Sequence, residues 1–175
     1  MKENFMTKEE MNLKNKQTQY RTYGLPAHYA GLTYDDAAGS NALLDRIHRI
    51  VENAPMRGSV LVNDFAAPII DQFIKQKRRV RGIDFAKLME NPFNRDGEHF
   101  KPQADVVVLY NIGLEASVNS TVPSQLIKGI INYYKKYNTL LILEAPYSPM
   151  QFQEKYDHRP LNSIKLQEST EEVWT

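Results

Sequence analysis

Cysteine is absent from this 175-residue chain, tryptophan occurs once, and the charges nearly cancel at +1. Without a thiol there is no disulfide framework, no thiolate metal site and no cysteine nucleophile, and the lack fits a reducing compartment. With 22 Lys and Arg against 21 Asp and Glu there is no bulk attraction to nucleic acid, so any basic footprint has to be local. No apolar run approaches the roughly 18 residues of a membrane span. Met1 to Gln19 is polar, without the apolar core of a signal peptide. A soluble, cytoplasmic protein with no membrane partner is expected. His28, His48, His99 and His158 have no paired ligand spacing, which argues against zinc, and no cofactor is expected. No Gly-x-Ser-x-Gly elbow surrounds Ser59, Ser120 or Ser148, so a serine-hydrolase reading has no support.

What is present is an α/β pattern. Val106 to Leu109 is a run of four large apolar residues after Asp105, closed by Asn111 and Gly113. Such a run, without polar alternation, suits a central strand covered on both faces. Thr139-Leu-Leu-Ile-Leu-Glu144 is a second one. Between them, Val122, Leu126, Ile127, Ile130, Ile131 and Tyr134 make a helical stripe opened by Ser120 or Thr121 and Pro123. Strand, helix, strand in that order is a right-handed βαβ unit. Upstream, the pattern predicts a helix from Ser40 to Ala54, a strand from Ser59 to Asn63, a helix starting at Pro68, a strand from Val80 to Asp84, and a short helix over Phe85 to Glu90. Downstream it predicts a short helix near Met150 to Tyr156 and a fifth strand over 162–167. At this length one domain burying about 70% of its unfolded surface is expected. Residues 1–19 are read as a flexible arm, 20–167 as the core and 168–175 as an acidic tail. Tyr20 to Asp36, rich in Tyr but broken by Gly24, Pro26 and Gly31, is expected as an ordered loop against the core.

Five local strings stand out: Tyr23-Gly-Leu-Pro-Ala-His-Tyr-Ala-Gly-Leu-Thr-Tyr-Asp-Asp36, Arg79 to Met89, Asp105 to Gly113, Leu126 to Tyr137 and Thr139 to Phe152. In this order they resemble the bacterial replicative-helicase loaders and transposon helpers of the DnaC/IstB type of AAA+ ATPase. Together they cover roughly residues 20–155. The resemblance implies a three-layer P-loop NTPase/AAA+-like core with a mostly parallel five-stranded sheet and no lid domain. It also exposes departures. No G-x-x-x-x-G-K-[ST] loop occurs, and the first strand runs into Asn63-Asp64-Phe-Ala-Ala-Pro68. The position of the Walker B acids reads Tyr110-Asn111, and Pro146 stands near the sensor position. Asn63, Asp64, Tyr110, Asn111 and Pro146 are therefore expected to form a degenerate nucleotide site without ATPase activity.

The expected function is that of a non-catalytic, loader-like accessory in the replication of a phage, plasmid or mobile element. Its partners would be a replicative helicase or an active AAA+ relative, in a homo- or hetero-oligomer, together with single- or double-stranded DNA. The DNA contact falls to Lys75, Lys77, Arg78, Arg79 and Arg81, the densest basic cluster, whose bland reading is a solvated helix end. Lys128, Lys135 and Lys136 could extend it, and Tyr133, Tyr134 and Tyr137 could stack on bases. The rival is a small α/β enzyme whose ligand lies at the carboxyl ends of the strands, using Asp64, Asp84 or Glu144. Converged acids in a deep pocket favour the enzyme, and a filled crevice favours the binding protein.

Overall fold

In the computed structural model, residues 6–33, 48, 58–63, 66–91, 104–116, 121–137, 139–158 and 162–165 are described. The chain builds one five-stranded sheet. Its strands are β1 (Gly58–Asn63), β2 (Val80–Asp84), β3 (Val106–Tyr110), β4 (Leu140–Glu144) and β5 (Asn162–Lys165). The spatial order is β2-β3-β4-β1-β5, and every pairing is parallel. The apolar runs read in the sequence are the three inner strands. Val60 to Val62, Val106 to Leu109 and Leu140 to Leu143 are all buried, as strands covered on both faces must be.

The helices are α1 (Lys8–Thr22), α2 (Ala66–Lys75), α3 (Phe85–Glu90), α4 (Thr121–Lys135) and α5 (Pro149–Tyr156), with a 3₁₀ helix at Ala27–Gly31. Alternate strand residues feed two separate cores. Val60, Val62, Val106, Val108, Leu140 and Ile142 pack with Tyr20, Leu25, Tyr29 and the Ile69, Ile70 and Phe73 stripe of α2. Leu61, Val107, Leu109, Leu141 and Leu143 pack with Phe85, Ile127, Ile130, Ile131 and Tyr134, and with Phe152 and Tyr156 of α5. The result is a three-layer α/β sandwich with the fold class expected. The helix after β1 lies on one face and the helix after β4 on the other. These two neighbouring strands therefore bound the switch point where open α/β sheets form a crevice.

Local differences from the sequence reading have local causes. Helix α2 begins at Ala66, so Pro68 is its third residue, where a missing N–H costs nothing. Within the segment read as a flexible arm, residues 8–19 belong to one helix, Lys8–Thr22, opened by a capping box between Thr7 and Glu10. It is exposed all round over residues 8–15, Met11 and Leu13 included, and packing begins only at its carboxyl end, where Tyr20 is fully buried. There Lys16 and Lys75 each lie 2.8 Å from the buried Asp71 carboxylate. Burial pushes the Asp71 carboxyl up, but the two lysines outweigh it and hold it below its ordinary value. The predicted helix from Ser40 to Ala54 lies outside the described residues except for His48, which is helical and exposed.

Candidate functional site

At the carboxyl end of the sheet the connection from β1 to α2 is two residues long, between Asn63 and Ala66. Of the degenerate-site positions, Asn63 ends β1 half-buried, and Asp64 lies outside the described residues. Glu144 ends β4, next to Val62. One oxygen of its carboxylate accepts the Ala66 N–H at 2.9 Å, and the other accepts the Tyr29 hydroxyl. A helix amino terminus concentrates unpaired N–H groups and positive dipole, so a carboxylate is its natural counter-group. Here the chain supplies that anion itself. Tyr29 is buried, and its hydroxyl is pushed well above the ordinary tyrosine range by burial first and the Glu144 charge second.

Tyr110 ends β3 on the same face. Its ring meets Tyr29 edge-on at 6.4 Å, and its hydroxyl donates to the Gly24 carbonyl at 3.0 Å. The Tyr23 carbonyl in turn accepts the Gly82 N–H at 2.7 Å, so residues 23–24 cover part of edge strand β2. Two glycines make this approach feasible. A Cβ on Gly82 would lie 2.4 Å from the Gly24 oxygen, and Gly24 itself has φ of +73°. Asn111, at φ +59°, donates to Asp84 at 3.1 Å, while the other Asp84 oxygen caps α3 through the Lys87 N–H at 3.1 Å. Pro146 is exposed beside this end.

Of the three acids named for the rival reading, the two described ones, Asp84 and Glu144, are thus apart. Asp84 ends β2 as a helix cap, Glu144 ends β4 as a second one, and β3 with Tyr110 lies between them. Among the described residues no group of three or more His, Asp or Glu is arranged to hold a metal. A further polar cluster escaped the sequence reading. Glu115, almost buried, accepts from the Tyr156 hydroxyl at 2.6 Å and from the Gly113 N–H. Lys155 reaches the Tyr147 hydroxyl at 2.7 Å and lies over both tyrosine rings. The only sequence signal was an acid two residues after a glycine that follows a strand.

The basic cluster lies at the opposite, amino-terminal end of the sheet, in the turn from α2 to β2. It is not uniform. Lys75 pairs with Asp71, and Arg79 makes a forked contact to Asp105, with Nη2 to Oδ1 at 2.9 Å. The Arg79 backbone N–H also donates to Asp105 at 3.0 Å, which ties the starts of β2 and β3 together. This ion pair holds the Asp105 carboxyl below its ordinary value. Arg81, half-buried on β2, lies near Tyr134. Lys77 and Arg78 are exposed, and among the described residues neither has an ion pair.

Sheet order and layer assignment give a three-layer α/β fold with a parallel five-stranded sheet, and solved structures share it. A DnaI structure superposes with a TM-score of 0.58 at 13% identity, covering 83% of this chain and 93% of that one. A candidate primosome component from Streptococcus pyogenes serotype M3 superposes at 0.54 and 15% identity, covering 85% and 92%. The replication initiator DnaA, bound in its crystal to AMPPCP and single-stranded DNA, superposes at 0.56 and 12% identity, covering 78% of this chain and 50% of its own. The chain therefore spans about half the length of the DnaA structure. At these identities the likeness is one of fold. No protein-family model and no curated protein sequence matches the chain. Among the described residues no helix is long and apolar enough to cross a membrane.

Proposed function

We propose that this chain is a non-catalytic, helicase-loader-like accessory in DNA replication, a pseudo-ATPase that works by occupying surfaces of other proteins. The observation that carries the reading is the two-residue link from β1 to α2, with Glu144 and Tyr29 closed over the amino end of α2. A glycine-rich phosphate loop needs several backbone N–H groups turned toward an anion, and its lysine supplies charge. Here the sequence from Asn63 to Pro68 has no glycine and no such lysine, and an internal carboxylate already takes the Ala66 N–H. A triphosphate approaching the same place would meet negative charge instead of a cradle. The fold shared with DnaI and a candidate primosome component supports the replication setting, and a replicative helicase or an active AAA+ relative is the partner it suggests. A phage, plasmid or mobile element is the context in which such a core acts on host machinery. DNA is the second partner, through the exposed part of the basic turn. The rival enzyme reading loses ground because Asp84 and Glu144 both serve as helix caps.

The test is ligand-linked stability. Binding raises stability by RT ln(1 + [L]/Kd), about 2.7 kcal/mol at a hundredfold excess over Kd. In a chain of this size that is worth about 5–10 °C in Tm. Millimolar ATP, ADP or AMPPCP with Mg²⁺ is expected to leave Tm within error, and a reproducible rise of several degrees overturns the proposal.

A further inference from the structure

We infer that the acidic tail of this chain, residues 168–175, docks on its own core, where Val173 and Trp174 cover an apolar step formed by Leu114 and Met150. Leu114, at 69%, and Met150, at 68%, are the most exposed large hydrophobic side chains among the described residues. A single exposed apolar side chain is ordinary, but these two stand on adjoining segments at the carboxyl end of the sheet. Leu114 follows Gly113 in the loop after β3, and Met150 lies in the first turn of α5, three residues after Tyr147. Gly113 packs directly on Tyr147, since a Cβ on Gly113 would lie 2.6 Å from the Tyr147 hydroxyl oxygen. Pro146 and Ala116, beside them in sequence, are exposed as well.

The step is held rigidly. Ile112 is buried, Gly113 takes φ of +97°, and the Leu114 N–H closes the turn on the Asn111 carbonyl at 3.2 Å. Glu115 is then held by the Tyr156 hydroxyl and Lys155 by the Tyr147 hydroxyl, which fastens the loop to α5. Leu114 is thus fixed at its backbone while its side chain stays in solvent. A surface on so rigid a support loses little conformational freedom when it is covered.

The tail suits this step in reach, charge and apolar content. β5 ends at Lys165, paired with Asn63 of β1, at this same end of the sheet. Three strand spacings, about 14 Å, separate β5 from β3, and the nine residues from Lys165 to Trp174 span up to about 30 Å. Residues 166–175 lie outside the described residues; their sequence holds Glu168, Glu171 and Glu172 and no basic residue. The first turn of α5 has no acid of its own, and its dipole favours one. Lys155, exposed in the last turn of α5, adds a cation. Trp174, the chain's one tryptophan, offers a flat apolar surface to Leu114 and to the Met150 thioether. Tethering holds the tail at a millimolar effective concentration, so a contact too weak to form between molecules closes within one. The tail is then a built-in cover, and a protein partner using this step must first displace it.

Trp174 makes the experiment direct, because all indole emission comes from the tail. Acrylamide quenching of that emission is measured in the full chain, in its variants and in a synthetic peptide of residues 166–175. With an effective concentration of about 3 mM against an intrinsic Kd of about 1 mM, the tail is docked about three-quarters of the time. Leu114→Ser with Met150→Gln should therefore raise the quenching constant about fourfold over wild type, close to that of the peptide. Both side chains are exposed, so the circular dichroism melt of this variant should match wild type. Glu171→Lys with Glu172→Lys should raise the constant about twofold or more, through lost attraction to α5 and Lys155. The wild-type constant should not change between about 1 and 100 µM protein. A wild-type constant equal to that of the peptide, or no rise in either variant, overturns the inference. So does a fall with protein concentration, which would assign the contact to the tail of a second copy. Release of Trp174 by Lys77→Gln with Arg78→Gln would place the tail on the basic turn and overturn it as well. Nucleotide binding is read separately through Tm, so failure here leaves the pseudo-ATPase reading standing.

Discussion

Glu144 and Tyr29 lie 115 residues apart in sequence and share one half-buried hydrogen bond. Hydrogen bonds to a charged group contribute about 1.5–3 kcal/mol net, and an orphaned buried partner costs about as much. Glu144→Ala removes the acceptor of both the Ala66 N–H and the Tyr29 hydroxyl, and should lower stability by about 2–4 kcal/mol in urea unfolding. Glu144→Gln keeps one acceptor and should cost less. In a double-mutant cycle with Tyr29→Phe the two changes should couple by about 1–2 kcal/mol, whereas strict additivity would mean that the contact contributes nothing. Neither variant is expected to create nucleotide binding, because the phosphate-loop backbone and its lysine remain absent.

Strand identity can be tested with substitutions that read the two faces separately. Leu109 and Ile142 are fully buried in neighbouring strands but belong to different cores, Leu109 with α4 and α5, Ile142 with α2 and the tyrosines of residues 20–29. Either one to Ala should cost about 2–5 kcal/mol, seen as a lower denaturant midpoint at unchanged m. The strap formed by residues 20–31 has its own test. In Gly82→Ala the new methyl group meets the Gly24 carbonyl, so the strap has to lift from β2. A loss of about 1–3 kcal/mol is expected, together with faster amide exchange across residues 20–31 and unchanged exchange in β3.

At the scale of the whole molecule, buried tyrosines set the alkaline limit. Tyr134 is pushed up to about 12 by burial, against a lowering by Arg81. Tyr20, Tyr29 and Tyr156 are displaced further upward, in each case by burial first and a neighbouring carboxylate second. Each folded value is raised above the unfolded value near 10, so the stabilisation is complete below about pH 10 and is lost as pH rises beyond it. At pH 11 each of the four withdraws about 1 kcal/mol, enough together to threaten a domain of ordinary stability. Unfolding followed by circular dichroism should coincide with a cooperative step in tyrosinate absorbance that accounts for these four rings. Complete titration of all ten tyrosines in a still-folded protein would contradict their burial.

The strands and the long helix were legible because burial on both faces demands unbroken apolar runs, as in Val106 to Leu109, and burial of one face demands a helical stripe, as in Leu126 to Tyr134. Capping was equally local, since Ser148 and Gln151 announce α5 three residues apart. The missing phosphate loop and the basic turn are likewise properties of consecutive residues. What tertiary structure decided is everything that depends on distant partners. Nothing in a polar stretch such as Lys8 to Gln19 says that its end will be pinned by Tyr20 and by Lys16 against Asp71. Nothing near Asp84 or Glu144 tells a catalytic acid from a helix cap. The basic cluster read as five equivalent cations became two ion-paired residues, Lys75 and Arg79, one half-buried Arg81, and an exposed pair, Lys77 and Arg78. Local sequence specifies propensity and periodicity, because these depend on neighbours within a few residues. Which carboxylate meets which helix end is set only when a parallel sheet brings strand ends from across the chain into one row.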